Sequence, residues 1–322
     1  MKKIGLVGIY FPGAYEALHA NVPQGFELVD ALRPEDYGNL ADCEYLVSRL
    51  DIDPEIIRWT PNVRFWQRWG AGFDHVDLAA WGARGIPIAT CPGVNAGIVA
   101  ELAVMLMLAG YRNLLQINRD LRRGHWPRTE YFGRSFMLRG KTVGVLGLGR
   151  IGTQVAQLVT AFGAKVIYTD IVRQWDEERR FGYGFVPFET LLGESDILTI
   201  HCPLDESTRG MIGEAELSAM RPTAMLVNTA RGPIVREDAL VRALETGAIR
   251  MACLDTYERE PLPADHPLLR LDNVVASAHA GGNTKDNDMN MVNYIYSNIT
   301  AFDEGRPLNS PEDVVNAQYL KR

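Results

Sequence analysis

A glycine-rich turn near the middle of the chain constrains the fold more than any other feature. Gly147, Gly149 and Gly152 follow an apolar run at Val143–Leu146 and precede a segment with helical periodicity. In this G-x-G-x-x-G pattern the first glycine permits a tight turn and the second lets the backbone approach a pyrophosphate. The third lets the helix pack closely against the strand. The turn therefore predicts a strand–turn–helix unit that binds a dinucleotide.

An acidic residue after the next predicted strand extends this interpretation. Asp170 follows the apolar run Lys165–Thr169, at the place where a carboxylate accepts hydrogen bonds from the adenosine ribose hydroxyls. The same carboxylate repels the 2′-phosphate of NADP, so the pattern favours NAD. Arg173 follows closely enough to offer a phosphate partner, which leaves the preference open at this stage. We also expect Arg150 and Ile151, within the turn, to contact the cofactor.

Short apolar runs alternate with helix-period segments along the chain. Strands that are apolar on both faces, with helices between them, predict parallel sheets covered on each side. The units after the glycine turn are longer than those before it, so we expect two α/β units of unequal size. The predicted strands are Ile4–Ile9, Tyr45–Val47, Val63–Trp69, Ile86–Ala89, Val143–Leu146, Lys165–Thr169, Asp196–Ile200, Ala224–Asn228, Met251–Leu254 and Val274–Ser277.

Composition and charge narrow the possible function classes. Hydrophobic residues make up 47% and charged residues 23% of the chain, which is the balance of a globular protein. The formal net charge is −7 and no block of lysine or arginine stands out, so nucleic acid and anionic membrane are poor candidates as partners. The apolar run Ile98–Ala109 contains Glu101 and is too short to cross a bilayer. We expect it to pack inside the protein or at a subunit interface.

The cysteines and the start of the chain bear on its location. The cysteines lie far apart without a C-x-x-C pair, which predicts free thiols rather than disulfides or a zinc site. Met1 to Lys3 lead straight into a predicted strand, with no cleavage site of the signal-peptide kind. We therefore expect a cytoplasmic protein without a bound metal. The four cysteines are Cys43, Cys91, Cys202 and Cys253.

Three loops that follow predicted strands carry side chains suited to reduction of a 2-oxo acid. This chemistry needs a cation for the carboxylate, an acid for the carbonyl oxygen and a group that keeps the acid charged. Arg231, Glu260 and His279 follow three successive strands in that part of the chain. Open α/β sheets bind ligands at the carboxyl ends of their strands, so the three residues are candidates for one site. Taken singly, each has a plainer explanation as a surface arginine, a solvated acid or a core histidine.

These motifs together resemble the D-isomer-specific 2-hydroxyacid dehydrogenase family, an oxidoreductase family that includes D-lactate, glycerate, hydroxypyruvate and 3-phosphoglycerate enzymes. The resemblance implies an α/β protein in which a Rossmann-type doubly wound parallel sheet is inserted into a smaller, flavodoxin-like substrate domain. It implies an NAD-binding domain at 96–283, a substrate domain formed by 1–95 and 284–322, an active site between them, and a homodimer. Besides the glycine turn, the matching segments are Gly70–Asp74, Pro92–Asn95, Gly124–Trp126, Thr229–Gly232, Glu260–Pro263 and His279.

Residue by residue, the resemblance makes Arg231 the clamp on the substrate's carboxylate and carbonyl, His279 the acid and base, and Glu260 the partner of His279. It implies that the amides of Ala71 and Gly72 contact the substrate carboxylate. The cofactor would be NAD, and the reaction would reduce a small 2-oxo acid to the D-2-hydroxy acid and run in reverse. Asp255 would hold the nicotinamide amide. The other implied cofactor contacts are His201, Pro203, Thr229 and Gly281.

Two further functions stay open on the sequence. Arg49 and Arg68 fall where phosphoglycerate dehydrogenases carry arginines near the substrate phosphate, although Asp51 would repel a phosphate if it faced the pocket. A salt bridge at the domain surface is the alternative for both arginines. An NAD-sensing binding protein, as the related C-terminal-binding corepressors are, would keep the same catalytic residues. The compact ends of this chain make that function the less expected one.

Overall fold

The chain divides into two compact units. The structure, a computed structural model, describes residues 1–49 and 52–320. One unit comprises Met1–Asn95 and Asn283–Arg322, and the other comprises Ala96–Gly282. Asn283, which the sequence analysis assigns to the second unit, therefore lies in the first. Asp51, whose orientation bears on a phosphate site, lies outside the described residues.

A parallel β-sheet forms the centre of the first unit. Its elements before residue 96 are β1 (Lys2–Val7), α1 (Pro12–Ala20), β2 (Phe26–Ala31), β3 (Tyr45–Ser48), α2 (Ile56–Trp59), β4 (Phe65–Arg68), α3 (Leu78–Ala83) and β5 (Ile88–Ala89). The described strands lie in the order β2-β1-β3-β4-β5, and all neighbours are parallel. This is the flavodoxin-like order, and it confirms that part of the predicted fold class.

A second parallel β-sheet forms the centre of the second unit. Its elements are α4 (Ala96–Tyr111), α5 (Leu114–Arg122), β6 (Thr142–Leu146), α6 (Arg150–Ala161), β7 (Lys165–Thr169), α7 (Trp175–Phe181), β8 (Gly184–Phe185), α8 (Phe188–Glu194), β9 (Ile197–Ile200), α9 (Glu214–Ala219), β10 (Met225–Asn228), α10 (Glu237–Thr246), β11 (Met251–Leu254) and β12 (Val274–Ala276). Its described strands lie in the order β12-β11-β10-β9-β6-β7-β8, all parallel. The order reverses between β6 and β9, as in the Rossmann fold.

The rest of the chain returns to the first unit and adds α11 (Asp288–Asp303). Successive residues of β4 show how the two faces of this sheet are covered, because side chains alternate along a strand. Phe65 packs in one core with Val292 and Ile295 of α11. Trp66 packs in the opposite core, where its ring centroid lies 4.7 Å from that of Trp81. Short 3-10 helices lie at Pro34–Asp42, Phe132–Arg134, Gly232–Ile234, Pro267–Arg270, Lys285–Asn287 and Ala317–Tyr319.

Helix α4 packs inside the second unit. Its buried residues share one core with β6, β10 and β11, which agrees with the packing role expected for the apolar run. Gly110 permits the close approach, since a Cβ there would lie 2.6 Å from the Met251 methyl carbon. Among the described helices none by itself has the length and apolar character to cross a membrane. Helices α4 and α5, which meet at 62°, reach that threshold only when they are counted together.

The C-terminal segment closes the β5 edge of the first sheet. Val314 forms an antiparallel bridge with Ala89. The buried side chain of Asn316 accepts a hydrogen bond from the amide of Ile88 at 2.8 Å and donates one to the carbonyl of Ile86 at 2.9 Å. An open strand edge presents backbone amides and carbonyls without hydrogen-bond partners. This segment provides partners for those groups at the β5 edge.

Replacing Asn316 with alanine should destabilise the first unit. The change leaves the buried amide of Ile88 without its partner, and such a loss costs about 2 kcal/mol. Urea unfolding followed by tryptophan fluorescence measures the effect. Asn62→Ala is the control, because Asn62 is exposed and its side chain donates a hydrogen bond to the Ala41 carbonyl. Equal losses of stability in the two variants would contradict the role assigned to Asn316.

Candidate active site

The glycine turn between β6 and α6 has the geometry that its sequence predicts. Gly147 has φ +92°, and a Cβ there would lie 2.7 Å from the amide nitrogen of Cys202. A Cβ on Gly152 would lie 2.0 Å from the carbonyl oxygen of Gly147, so only glycine lets α6 begin this close to the turn. A Cβ on Gly149 would meet no atom within 4 Å. The middle glycine therefore faces open space at the amino end of α6, where backbone amides favour a phosphate.

Asp170 is tied to this turn through its carboxylate. Its Oδ2 accepts a hydrogen bond from the amide of Leu148 at 2.7 Å, and its Oδ1 accepts one from the amide of Val172 at 3.1 Å. Each carboxylate oxygen can accept more than one hydrogen bond. Asp170 can therefore still accept ribose hydroxyls beside the turn while its position is fixed by the backbone.

Several buried polar atoms lie without a partner at the ends of the central strands. The Nε2 of His201 lies 2.8 Å from the hydroxyl of Thr199, and burial lowers the pKa of this imidazole to about 3. Its Nδ1 is buried, as are the hydroxyls of Thr229 and Thr256, and none of the three has a hydrogen-bond partner among the described residues. Such atoms are rare in proteins. They follow β9, β10 and β11, at the edge where open α/β sheets bind ligands, so a dinucleotide fits this donor and acceptor set.

The loop after β10 holds Arg231 against the loop after β11. The Asn228 side chain accepts a hydrogen bond from the amide of Ala230 at 3.0 Å and donates one to the carbonyl of Arg231 at 2.9 Å. A Cβ on Gly232 would lie 1.9 Å from the carbonyl carbon of Tyr257. The two loops are therefore in direct backbone contact, and the contact requires a glycine after Arg231.

His279 and Glu260 form a close pair. The Nδ1 of His279 lies 2.6 Å from the Oε2 of Glu260, and the half of the His279 side chain that stays exposed (49%) leaves the ring accessible. The Oε1 of Glu260 accepts a hydrogen bond from the amide of Tyr257 at 3.0 Å. His279 has φ +49°, a left-handed conformation that costs energy in any residue with a Cβ. Something in the surroundings must therefore hold its backbone.

Asp255 supplies that hold, a role that sequence reasoning missed. The side chain is buried, and its two oxygens accept hydrogen bonds from the amides of Ala280 and Gly281, both at 2.9 Å. Its carbonyl oxygen accepts the amide of His279 at 2.7 Å. Three consecutive amides of the histidine loop thus bind one residue. The available signal was an aspartate directly after the apolar run Met251–Leu254.

Charge sets the protonation of the pair. The hydrogen bond and the negative charge of Glu260 raise the pKa of His279; burial and the charge of Arg231 oppose this rise, and the charge of Asp255 supports it. Burial by itself would raise the pKa of Glu260, but hydrogen bonds from His279 and from the Tyr257 amide outweigh it and lower that pKa. The carboxylate of Glu260 therefore stabilises the protonated form of the His279 ring, from which a proton can be delivered.

Ala71 and Gly72 lie in the first unit, in the loop after β4. Gly70 has φ +99° and its carbonyl accepts the amide of Cys91 at 2.8 Å. The Nε of Arg68 donates to the carbonyl of Gly72 at 3.0 Å. The loop is held at both ends, and the contact of its amides with substrate remains a prediction.

Arg49 and Arg68 do not lie at the surface, where the alternative of a surface salt bridge would place them. Each residue is only 6% exposed. Arg49 donates to the carbonyl of Ile9 at 2.9 Å and stacks 3.8 Å from the centre of the Phe11 ring. Strand ends of a parallel sheet bury side chains that a sequence would place outside.

No group of three potential metal ligands occurs in the part of the chain that the structure describes.

Replacing Glu260 with glutamine should lower the pKa of His279 by about 1 to 3, because it removes a close negative charge at nearly constant shape. NMR titration of the histidine ring protons measures this value without any substrate. Glu258→Gln is the matched control, since that carboxylate accepts the amide of Glu237 instead of contacting the histidine. A pKa of His279 that is the same in wild type and Glu260→Gln would contradict the electrostatic role of Glu260.

Comparison with known proteins agrees with this geometry. Residues 104–281 match the NAD-binding domain of the D-isomer specific 2-hydroxyacid dehydrogenase family. A glyoxylate reductase of Thermofilum pendens is 40% identical over 294 residues, which cover 90% of this chain and 86% of that protein. A D-3-phosphoglycerate dehydrogenase of Archaeoglobus fulgidus is 38% identical over 263 residues, which cover 82% of this chain and 50% of that protein.

A solved structure shares the whole fold. It is an NADPH-dependent glyoxylate/hydroxypyruvate reductase of Sinorhizobium meliloti in complex with NADP and malonate. The two structures agree with a TM-score of 0.85 at 30% identity, over 100% of this chain and 99% of that chain. The family match spans the glycine turn and the loops that carry Arg231, Glu260 and His279. The chain therefore belongs to the D-isomer specific 2-hydroxyacid dehydrogenase family.

Proposed function

We propose that this protein reduces glyoxylate, and similar small 2-oxo acids such as hydroxypyruvate, to the corresponding 2-hydroxy acid with NADH as the reductant. The observation that carries the proposal is the His279–Glu260 pair at 2.6 Å, in a loop fixed by Asp255 at the carboxyl edge of the Rossmann sheet. The relative of Thermofilum pendens, a glyoxylate reductase, supports the choice of substrate. Where the product has a chiral centre, we expect the D form.

The side chains divide the work on the substrate. Arg231 holds the carboxylate and polarises the carbonyl oxygen, which a guanidinium can do with two parallel hydrogen bonds. His279 donates a proton to that oxygen and takes it back in the reverse reaction. Glu260 keeps the histidine charged, because its carboxylate raises the pKa of the ring. The nicotinamide, when bound, supplies the hydride. Ala71 and Gly72 are proposed to meet the substrate carboxylate with their amides.

The cofactor contacts follow the strand ends of the second sheet. We assign the pyrophosphate to the turn from Gly147 to Gly152, with Gly149, Arg150 and Ile151 at the amino end of α6. The carboxylate of Asp170 accepts hydrogen bonds from the adenosine ribose hydroxyls and repels a 2′-phosphate. Both effects support NAD over NADP as the cofactor. Similar solved structures show both preferences: the reductase of Sinorhizobium meliloti is NADPH-dependent, and a formate dehydrogenase of Staphylococcus aureus is NAD-dependent. The remaining proposed contacts are His201, Pro203, Thr229, Asp255 and Gly281.

Phosphoglycerate dehydrogenase activity is the second candidate, because a relative of that name is 38% identical. The arginines that would bind a phosphate are both engaged inside the first unit. Arg49 donates to the Ile9 carbonyl and Arg68 to the Gly72 carbonyl. The match to the glyoxylate reductase covers 86% of that protein and the match to the phosphoglycerate dehydrogenase 50%, which favours a substrate without a phosphate.

Glyoxylate and hydroxypyruvate should oxidise NADH with a higher kcat/KM than 3-phosphohydroxypyruvate does. The absorbance of NADH measures these rates.

Arg231→Ala should lower kcat/KM on the best substrate by about 100-fold to 1000-fold, since it removes two hydrogen bonds from a charged group to the substrate. The Kd of NADH, followed by fluorescence, should stay within about threefold. Arg236→Ala is the control, because that arginine is exposed and pairs with Asp238.

Three results would contradict this assignment. A wild-type kcat/KM in Arg231→Ala would remove Arg231 from the site. A preference for 3-phosphohydroxypyruvate would favour the second candidate. Intact NADH binding without turnover of any 2-oxo acid would favour an NAD-sensing binding protein.

We propose that the protein is a homodimer and that it is cytoplasmic. The four cysteines are free thiols, which a reducing compartment preserves. The segment from α4 to β6 exposes large apolar side chains, and we expect the subunit contact to bury them. These side chains are Met105, Leu114, Leu115, Leu121, Trp126, Phe132 and Met137.

Light scattering on a size-exclusion column should give twice the mass of one chain. Phe132→Glu should shift the mass toward one chain, because a buried charge opposes association. Phe162→Glu is the control, because Phe162 is also exposed but follows β6 in the chain and lies outside the segment from α4 to β6. A wild-type mass of one chain would contradict the proposal.

A further inference from the structure

The loop that follows β7 carries an arginine in an unusual setting. Arg173 lies three residues beyond Asp170, the residue proposed to accept the adenosine ribose. Its Nε and Nη2 donate to the two carboxylate oxygens of Glu178 at 2.8 and 2.9 Å. The guanidinium also lies 3.7 Å from the centre of the Trp175 ring. Both donors on one edge of the guanidinium are thus taken by a single acid.

The side chain of Glu178 is also held by a second residue, Tyr168. The hydroxyl of Tyr168, a buried residue of β7, donates to the Oε1 of Glu178 at 2.7 Å and accepts the amide of Gln174 at 2.8 Å. The Glu178 side chain is only 14% exposed. Hydrogen bonds from Arg173 and from Tyr168 lower the pKa of this carboxyl, so it is ionised at neutral pH. The pair is a built arrangement and differs from a mobile surface ion pair.

The position of this pair bears on the choice between NAD and NADP. The two cofactors differ only by the 2′-phosphate on the adenosine ribose, and an arginine just after the second strand of a Rossmann fold is its usual partner. Arg173 has the right position for that role. To meet a phosphate with its Nε–Nη2 edge, however, Arg173 would have to leave Glu178, whose poorly exposed carboxylate would then lose its cationic partner.

We propose that Glu178 is a specificity-determining residue: by binding the Nε–Nη2 edge of Arg173 and neutralising its charge, it withholds that edge from a 2′-phosphate and so disfavours NADP. The inference rests on the proposed dinucleotide site and adds to the effect of Asp170.

Binding of adenosine fragments to the full chain tests this inference without turnover. Adenosine 2′,5′-bisphosphate and 5′-AMP differ by the 2′-phosphate, and calorimetry gives the Kd of each. Glu178→Gln keeps an oxygen for the Tyr168 hydroxyl and removes the charge. We expect the bisphosphate to bind about tenfold more tightly in this variant than in wild type, the size of one charge-assisted hydrogen bond. The Kd of 5′-AMP should stay within about twofold.

Asp176→Asn is the matched control. It removes one negative charge from the same helix, but Asp176 is 91% exposed and pairs with Arg179 instead of Arg173. Its effect on the bisphosphate should be less than about threefold, because exposed charges are screened. An equal gain in both variants would show a general charge effect and would overturn the inference. A Glu178→Gln variant that folds but gains no affinity would overturn it as well.

Arg173→Met tests the inference even if the glutamine variant is unstable. In the presence of Glu178 this change should weaken binding of the bisphosphate by less than about threefold, because the withheld arginine makes no contact with the phosphate. A larger loss would mean that Arg173 already binds the phosphate, and it would overturn the inference. In the double variant, Arg173→Met should erase the gain from Glu178→Gln.

The outcomes separate this inference from the proposed function. Wild-type protein that fails to bind 5′-AMP would contradict the dinucleotide site itself, together with everything assigned to it. Binding of 5′-AMP without the expected response to Glu178→Gln would contradict only the role of Glu178. Absence of glyoxylate reduction, with the expected fragment affinities, would contradict the substrate and leave the role of Glu178 standing.

Discussion

The hydrogen bonds of Asp255 hold the reactive edge of the second unit together. The amide of Asp255 donates to the Asn228 carbonyl at 2.9 Å, which joins the end of β11 to the end of β10. Its carbonyl and carboxylate accept the three amides that begin with His279, which joins β11 to the loop after β12. A buried carboxylate must be satisfied in this way, because leaving it unpaired is costly. The left-handed backbone of His279 is maintained as a consequence.

Two carboxylates control neighbouring cations in the same unit, with opposite consequences. Glu260 accepts a hydrogen bond from His279 and raises the pKa of the ring, so the proton remains available for the substrate. Glu178 binds both donors on one edge of Arg173 and makes that edge unavailable to a ligand. The difference lies in geometry. Glu260 engages one of two ring nitrogens, whereas Glu178 engages both the Nε and the Nη2 of the guanidinium.

Most strands of both sheets could be predicted from apolar runs, since buried parallel strands are apolar on both faces. Lys165–Thr169 and Met251–Leu254 have the predicted bounds. The first strand begins and ends two residues earlier than predicted, and the other predicted strands are one to a few residues longer or shorter in the structure. Two edge strands escaped prediction. Phe26–Ala31 contains two acids and is only partly buried, and Gly184–Phe185 has two residues. Edge strands carry a weaker apolar signal because one side of the ladder faces no neighbour.

The sequence by itself determined the family, the glycine turn and the three loops of the candidate site, because each depends on residues close together in the chain. The spacing of Gly147, Gly149 and Gly152 specifies a backbone shape whatever the rest of the fold does. Only the tertiary structure decided that Asp255 holds the histidine loop and that Glu178 occupies Arg173. Both depend on the direction of side chains and on strands brought side by side, which periodicity does not encode. The burial of Arg49 and Arg68 was decided in the same way, by the packing around two neighbouring strand ends.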